Sequence, residues 1–382
     1  MEKGNVLVIG NSGVGKSTLI NAVLGEEVAK TGWGTEGTTK ELQIYENDAL
    51  PFRVIDSVGF EPSLLKEFSA VNAVKKWSKE SAKTEGSEKQ INLIWFCIDG
   101  TSRKLFEKTI TTLSRATKMW ESVPIIAVIT KSYSVVEREE NISMVHTAFA
   151  KQKISKNLKK VIPVVASIYR LNDTVFAPPE GITDLIDATN ELMPEGIEMA
   201  KKDLDKYNLS RREALAHSLI GVATTSGVIV GAVPIPIADA AILAPLEAGL
   251  VNGIAIIYGI GKNEKSSQFI NSIIEVGTVS AAAKAAISGL KAIPGLNIAA
   301  SALNAIVAGV FVALIGKGSN FLFEQVYKGE KTLDDIDWAK KIMESKMSSE
   351  LMDKVNKAVK SLDGKVDKDS IAKAVKKLLE MK

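Results

Sequence analysis

The sequence predicts two architectures in series: an α/β half over residues 1–194, a mostly parallel sheet with helices on both faces, and an all-α apolar half behind it. Three observations carry this reading. Apolar, β-branched runs at 5–9, 42–46, 51–56, 91–99, 123–130 and 161–166 alternate with helical stretches, the order that parallel strands and their crossover helices impose. A glycine-rich turn joins the first strand to the first helix. Past residue 213 the charge thins out: only Asp239 and Glu247 are charged between Ala214 and Gly261, and no residue is charged between Ala292 and Gly316.

The first strand and its sequel, NVLVIGNSGVGKSTLINAVLG (5–25), give a strand, a loop and an amphipathic helix in that order. Gly10-x-x-x-x-Gly15-Lys16-Ser17 is a Walker A spacing in the strand-to-helix setting that gives the motif its meaning. Gly10, Gly13 and Gly15 permit backbone angles closed to other residues, so successive N–H groups can turn toward one set of phosphates. The helix N-terminus adds its partial positive charge. Lys16 would reach the outer phosphates and the Ser17 hydroxyl would ligate Mg2+. Asn11, Ser12, Val14 and Thr18 complete the candidate nucleotide-contacting loop.

The run at 42–46 precedes PFRVIDSVGF (51–60), a strand ending in Asp56-Ser57-Val58-Gly59 forty residues beyond Lys16. Asp56 at the strand's carboxyl end can hold Mg2+ through water, and the Gly59 N–H can sense the γ-phosphate. Between the two motifs GTEGTTKE (34–41) offers Thr38 or Thr39 as a threonine closing over the metal, in a turn-rich segment that would order around nucleotide. The helix that follows, EPSLLKEFSAVNAVKKW (61–77), carries Leu64, Phe68, Val71 and Val74 at helical spacing, a stripe that suits core packing or a partner.

The two later strands bring the loops that would meet a base: PIIAVITKSYSV (124–135) and VIPVVASIYR (161–170). With these residues in view, residues 1–194 resemble the small P-loop GTPase domains of the TrmE–Era-like branch of translation-factor-class GTPases. The resemblance implies Thr39 as the switch ligand, from Gly37-Thr38-Thr39, with Lys16, Thr39 and Gly59 at the reacting phosphate and Ser17, Thr39 and Asp56 on Mg2+. It also implies Thr130-Lys131 and Ala166-Ser167 as the base-contacting loops. The family's Asn/Thr-Lys-x-Asp motif ends here in Tyr133 instead of Asp. The missing carboxylate removes the acceptor that penalises adenine, unless Glu137 or Glu139 replaces it. Phe60 stands where related enzymes orient the attacking water, and Gly13 stands where some relatives place an Asn that holds K+. Slow intrinsic turnover is expected, with activation by a partner, a homodimer or an arginine in trans, for which Arg53 and Arg103 are candidates.

Composition limits the alternatives. A net charge of +3 over 382 residues gives no reason to expect a nucleic-acid partner. The single Cys97 lies in the apolar run INLIWFCID (91–99), so no disulfide framework exists, and His146 and His217 are too few for a histidine-based metal site. Met1 runs almost directly into the first strand, so no signal segment is expected.

A charged helical connector, 195–213, leads into the apolar half, 214–328, which is followed by a charged helical tail, 329–382. GVIVG (227–231) and GLVNG (249–253) are Gly-x-x-x-Gly spacings that let helix backbones touch. VPIPIAD (233–239) and AIPGLN (292–297) would break and turn the helices. Residues 210–330 resemble a bacterial domain family of unknown function marked by the Val-Pro-x-Pro-x-Ala-Asp turn, which suggests a helical module in or near a membrane. Residues 296–316 are long enough to span a bilayer, and ten of them are Leu, Ile, Val or Phe. Asp239 or Glu247 at mid-bilayer would each cost about 2.5–3.5 kcal/mol. Together these readings give a Mg2+-dependent GTP/GDP-binding switch, slow in hydrolysis, on the cytoplasmic side and associated with membrane lipid. The alternatives are a cytoplasmic location, a nucleotide-regulated scaffold with negligible hydrolysis, or an ATPase.

Overall fold

The computed structural model describes residues 3–11, 13–25, 42–57, 90–102, 107, 110–111, 114, 122–195, 197, 199–232, 240–261, 263–279, 300–362 and 367–380. The chain divides into two compact units: residues 1–167 with 179–211, and residues 168–178 with 212–382. Ser12, Thr38, Thr39, Gly59, Phe60, Arg103, the 61–77 helix and both predicted turns of the apolar half lie outside the described residues.

Unit 1 is built on a six-stranded sheet. Its strands are β1 (Gly4–Ile9), β2 (Leu42–Glu46), β3 (Phe52–Ser57), β4 (Ile91–Asp99), β5 (Ile125–Thr130) and β6 (Leu158–Pro163). They lie in the order β2-β3-β1-β4-β5-β6, with β2 antiparallel to β3 and every other neighbouring pair parallel. β1 and β5 are buried along their whole length, the continuous apolar reading of strands covered on both faces. The core carries Leu7, Ile9, Ile94, Phe96, Ile98, Ala127, Ile129 and Phe149. Phe96 and Phe149 meet edge-on at 5.1 Å.

The described helices of this unit are α1 (Lys16–Leu24), α2 (Arg138–Ala150) and α3 (Ile182–Glu191), joined by the start of α4 (Lys201–Gly231) through Arg211. That first part of α4 satisfies open carbonyls at the end of α1: Tyr207 Oη donates to Val23 O at 2.8 Å and Arg211 Nη2 to Ala22 O at 2.8 Å. A parallel sheet of this order gathers its loops at the carboxyl ends of the strands, which is where each sequence motif lies.

Unit 2 is helical. It comprises α4 beyond Arg211, α5 (Ala240–Ile257), α6 (Glu264–Val279), α7 (Ala300–Tyr327), α8 (Ile336–Lys360) and α9 (Lys368–Glu380), with a small hairpin of β7 (Tyr169–Arg170) and β8 (Phe176–Ala177). α7 is the central element, packing on α5, α8 and α9. Among the described residues, two helices are long and apolar enough to cross a membrane by length and composition, but 89 % of the α7 window is buried within the folded chain, against 44 % for α4.

The glycine spacings behave unequally. A Cβ at Gly231 would lie 2.7 Å from Ala308 and 2.8 Å from Asn304 O, and one at Gly227 would lie 3.2 Å from Ala308 O, so GVIVG brings two backbones together. In GLVNG, Gly253 faces Leu219 and Pro178, whereas Gly249 meets only Phe176 at 3.9 Å.

Candidate functional site

β1 delivers the chain into the glycine loop at the sheet's carboxyl edge. Gly10 is fixed by a close approach: a Cβ there would sit 2.7 Å from Cys97 O. Gly15 begins α1 with φ +96, a backbone state that favours glycine. Lys16 Nζ donates to Gly10 O at 3.0 Å and to Asn11 O at 3.3 Å, so its ammonium is folded over the loop it belongs to. Ser17 and Thr18 are exposed, and Val14 is buried.

Asp56, at the end of β3, is 6 % exposed, and its Oδ1 has no hydrogen-bond partner. Burial raises its pKa above the ordinary carboxylate value, while Lys16 pulls it back down. A desolvated carboxylate oxygen without a partner, with a cation near by, is the electrostatic setting into which a divalent ion fits. Ser17 and Asp56 are the described residues that would hold Mg2+.

Two loops are tied to the glycine loop by direct bonds. Thr130 Oγ1 lies 2.6 Å from Val14 O and 3.0 Å from Ile98 O. Lys131 Nζ donates to Gly13 O at 2.7 Å and to Asp99 Oδ2 at 2.7 Å. The Asp99 carboxylate also accepts from Thr101 N at 2.9 Å and Thr101 Oγ1 at 2.7 Å. Burial alone would raise Asp99, but the bonds from Lys131 and Thr101 outweigh it and hold the group below the ordinary value. Gly100 allows this approach, since a Cβ there would lie 2.8 Å from Thr130 O.

The segment after Lys131 is anchored in turn. Tyr133 N donates to Lys131 O at 2.8 Å and Ser132 N to Val164 O at 3.2 Å. Arg138 donates through Nε and Nη2 to Ser132 O at 3.1 and 3.0 Å, and pairs with Glu180 at 2.7 Å. Glu180 exchanges backbone bonds of 3.0 Å with Val165. The next two residues, Ala166 and Ser167, are half-buried and exposed respectively.

Gly10, Asn11, Gly13, Val14, Lys16, Thr130 and Lys131 are thus joined in one bonded constellation, with Asp56 coupled to it through Lys16. Among the described residues, no hydrogen bond joins Ala166 or Ser167 to it. Sequence reasoning passed over Asp99, Arg138 and Glu180. The readable signal for Asp99 was a lone carboxylate ending a buried apolar strand, followed by a glycine.

Residues 5–131 match the family model described as 50S ribosome-binding GTPase. Residues 198–337 match a domain of unknown function (DUF697). The chain is 26 % identical over 165 residues to GTPase Era of Vibrio parahaemolyticus, covering 43 % of this chain and 46 % of that one. It is 26 % identical over 164 residues to GTPase Era of Glaesserella parasuis, covering 43 % and 49 %. The chain spans about half the length of the curated relatives it matches. Among solved structures, Era in complex with MgGDPNP and nucleotides 1506–1542 of 16S ribosomal RNA aligns with a TM-score of 0.32 at 19 % identity, covering 57 % of this chain and 68 % of that one. The first part of the chain is therefore similar to Era-like GTPase domains, and the second part matches a domain of unknown function.

Proposed function

We propose that the protein is a Mg2+-dependent guanine-nucleotide switch with slow intrinsic hydrolysis, whose nucleotide state governs the helical unit. One observation supports this most strongly: the base loop is bonded to the phosphate loop through Thr130–Val14 and Lys131–Gly13, beside a buried Asp56 oxygen with no partner. Such an arrangement suits a nucleotide gripped at both ends, with phosphates on the glycine loop and a purine over the Lys131 stem. When bound, Mg2+ would supply charge neutralisation between the outer phosphate oxygens. The chain's own part is to present the Gly13–Lys16 backbone and the Lys16 ammonium to those oxygens. Catalytic roles for Thr39 and Gly59, and base contacts from Ala166 and Ser167, belong to this proposal. So does slow turnover, which rests on Phe60 following Gly59 in the sequence.

The membrane part of the reading rests on the length and composition of α4 and α7. Because α7 spends most of its apolar surface inside unit 2, the association we propose is that of a folded helical unit resting on lipid, not of a single spanning anchor. A small net charge does not exclude nucleic acid as a partner, since the matched family's description names the 50S ribosome.

The decisive experiment is to identify the nucleotide that co-purifies with the full chain, then follow a single turnover with Mg2+. Bound GDP or GTP with slow phosphate release supports the switch. Tight binding with no release at all favours a nucleotide-regulated scaffold, and co-purified ATP or ADP overturns the guanine assignment.

A further inference from the structure

Glu247 of α5 is a single carboxylate in a long apolar stretch, and unit 2 buries it: the residue is 3 % exposed, and its Oε2 has no hydrogen-bond partner. Its position follows from the helix contacts. A Cβ at Gly316 of α7 would lie 2.7 Å from Ile220 of α4 and 3.2 Å from Leu250 of α5, so three helices meet there. α4 runs antiparallel to α7, since Gly231 approaches Ala308 at one end and Arg212 lies over the Tyr327 ring at the other. α5 runs parallel to α7, with Leu250 at Gly316 and Tyr258 Oη bonded to Asn320 at 3.0 Å.

One helical turn along this seam, three or four residues on each helix, keeps side chains on the same face. Counted from the Gly316 crossing, Thr224, Glu247 and Val312 each lie three or four residues along their own helix. Thr224 is fully buried, and its Oγ1 also lacks a partner. A trapped water could serve two such unpartnered polar groups, having donors and acceptors of its own. An ionised carboxylate there would be heavily penalised, whereas a neutral acid has a hydrogen to donate.

We propose that this seam is a proton-binding site, in which Glu247 carries a proton in the folded unit and shares it with Thr224 through a trapped water. Losing the proton loosens the α4–α5–α7 packing. Among the described residues, the ionisable groups on the surrounding elements lie elsewhere. His217 is about two turns from Thr224 along α4, and Glu213 and Arg212 are farther. Lys317 and Glu324 lie beyond Gly316 on α7, away from the Val312 level. Arg170 of the hairpin is held by Ser226 at 2.6 Å. Glu264, Lys265 and Glu275 of α6, and Lys373, Lys376 and Lys377 of α9, are all exposed or half-exposed. Burial pushes the Glu247 pKa from the ordinary 4.5 up to about 7. A folded pKa raised in this way contributes stability that is complete below 4.5 and is lost as pH rises through 7.

The test uses the full chain, comparing wild type with Glu247→Gln by thermal unfolding and infrared difference spectroscopy between about pH 5 and about pH 8.5. The wild-type midpoint should fall by several degrees across that range while the Glu247→Gln midpoint stays level. The wild-type spectrum minus that of Glu247→Gln should show a protonated-carboxyl band at the acid end that vanishes at the alkaline end. Thr224→Val should shift that band. If Glu247→Gln fails to fold, the wild-type band and its Thr224→Val shift still decide. An unchanged pH dependence in Glu247→Gln, or a wild-type band that is missing at the acid end or ignores Thr224→Val, overturns the proposal. So does selective stabilisation by Na+ or K+ at alkaline pH that Glu247→Gln abolishes, which would make the occupant a metal cation.

Discussion

Lys131 holds a left-handed backbone with φ 52, a state that a side-chain-bearing residue keeps only when its surroundings fix it. Here the Gly13 carbonyl and the Asp99 carboxylate do so. We infer that Asp99 positions the candidate base loop, so Asp99→Ala should weaken guanine-nucleotide affinity by roughly tenfold, the worth of one charge-assisted bond, while Asp99→Asn retains part of it. Titration calorimetry on both variants checks this, and equal affinities in wild type and Asp99→Ala would refute the role. Lys16→Ala should abolish tight binding without unfolding the chain, and Ser17→Asn or Asp56→Ala should chiefly weaken the Mg2+ dependence. Tyr133→Asp should sharpen the preference for GTP over ATP; a wild type that already rejects ATP strongly, with no change in the mutant, would contradict the reading of that loop. These residues differ in how legible they were. The glycine loop and Asp56 announce themselves because phosphate and metal chemistry fixes both residue type and spacing. Asp99 does not, because its partner lies 32 positions away in sequence and a strand-end carboxylate looks like any loop acid.

At the scale of elements, the strands were legible to within two residues wherever both faces are buried, because continuous apolar runs mark them. β6 was expected at 161–166 and runs Leu158–Pro163 instead. It is an edge strand carrying Lys159 and Lys160, and only Ile162 is fully buried, so the apolar signal begins later than the hydrogen-bond ladder. The β7–β8 hairpin was not foreseen at all: two residues per strand give no periodicity to read. Yet it sets Phe176 against α5 and bonds Arg170 to Ser226 of α4, and in the sequence it follows closely on Ser167 of the candidate base loop. The helix glycines yield a paired prediction. Gly231→Ala would drive a methyl into Ala308 and the Asn304 carbonyl, so it should destabilise unit 2 by about 1–3 kcal/mol through overpacking. Gly221, in the interior of the same helix, offers open space: among the described residues, a Cβ there would meet nothing within 4 Å. Gly221→Ala should therefore stabilise by about 0.5–1 kcal/mol through helix propensity. Denaturant midpoints moving in the same direction for both would refute the assignment of GVIVG as a backbone contact.

For the whole molecule, the long uncharged stretches raised the question of whether the chain enters a bilayer. Composition alone could not answer it, because a buried core helix and a spanning helix present the same apolar residues. Packing separates them in part. Val307 and Val310 are 3 % and 1 % exposed within unit 2, so the side chains that a lipid tail would contact already face protein. If the unit rests on a membrane surface as a folded body, full-length protein should float with anionic liposomes and be released by high salt, since surface charge attraction is screened over a Debye length of about 10 Å at 0.1 M. Val307→Asp with Val310→Asp should then unfold unit 2, seen as loss of its helical circular dichroism and rapid proteolysis, because two unpaired carboxylates would enter a packed interior. A spanning chain predicts the opposite pattern: wild type that resists salt extraction and needs detergent, and a double variant that is released from membranes with its helices intact. Flotation and proteolysis of the same two proteins distinguish these outcomes, and salt-resistant wild type would overturn the surface-bound reading.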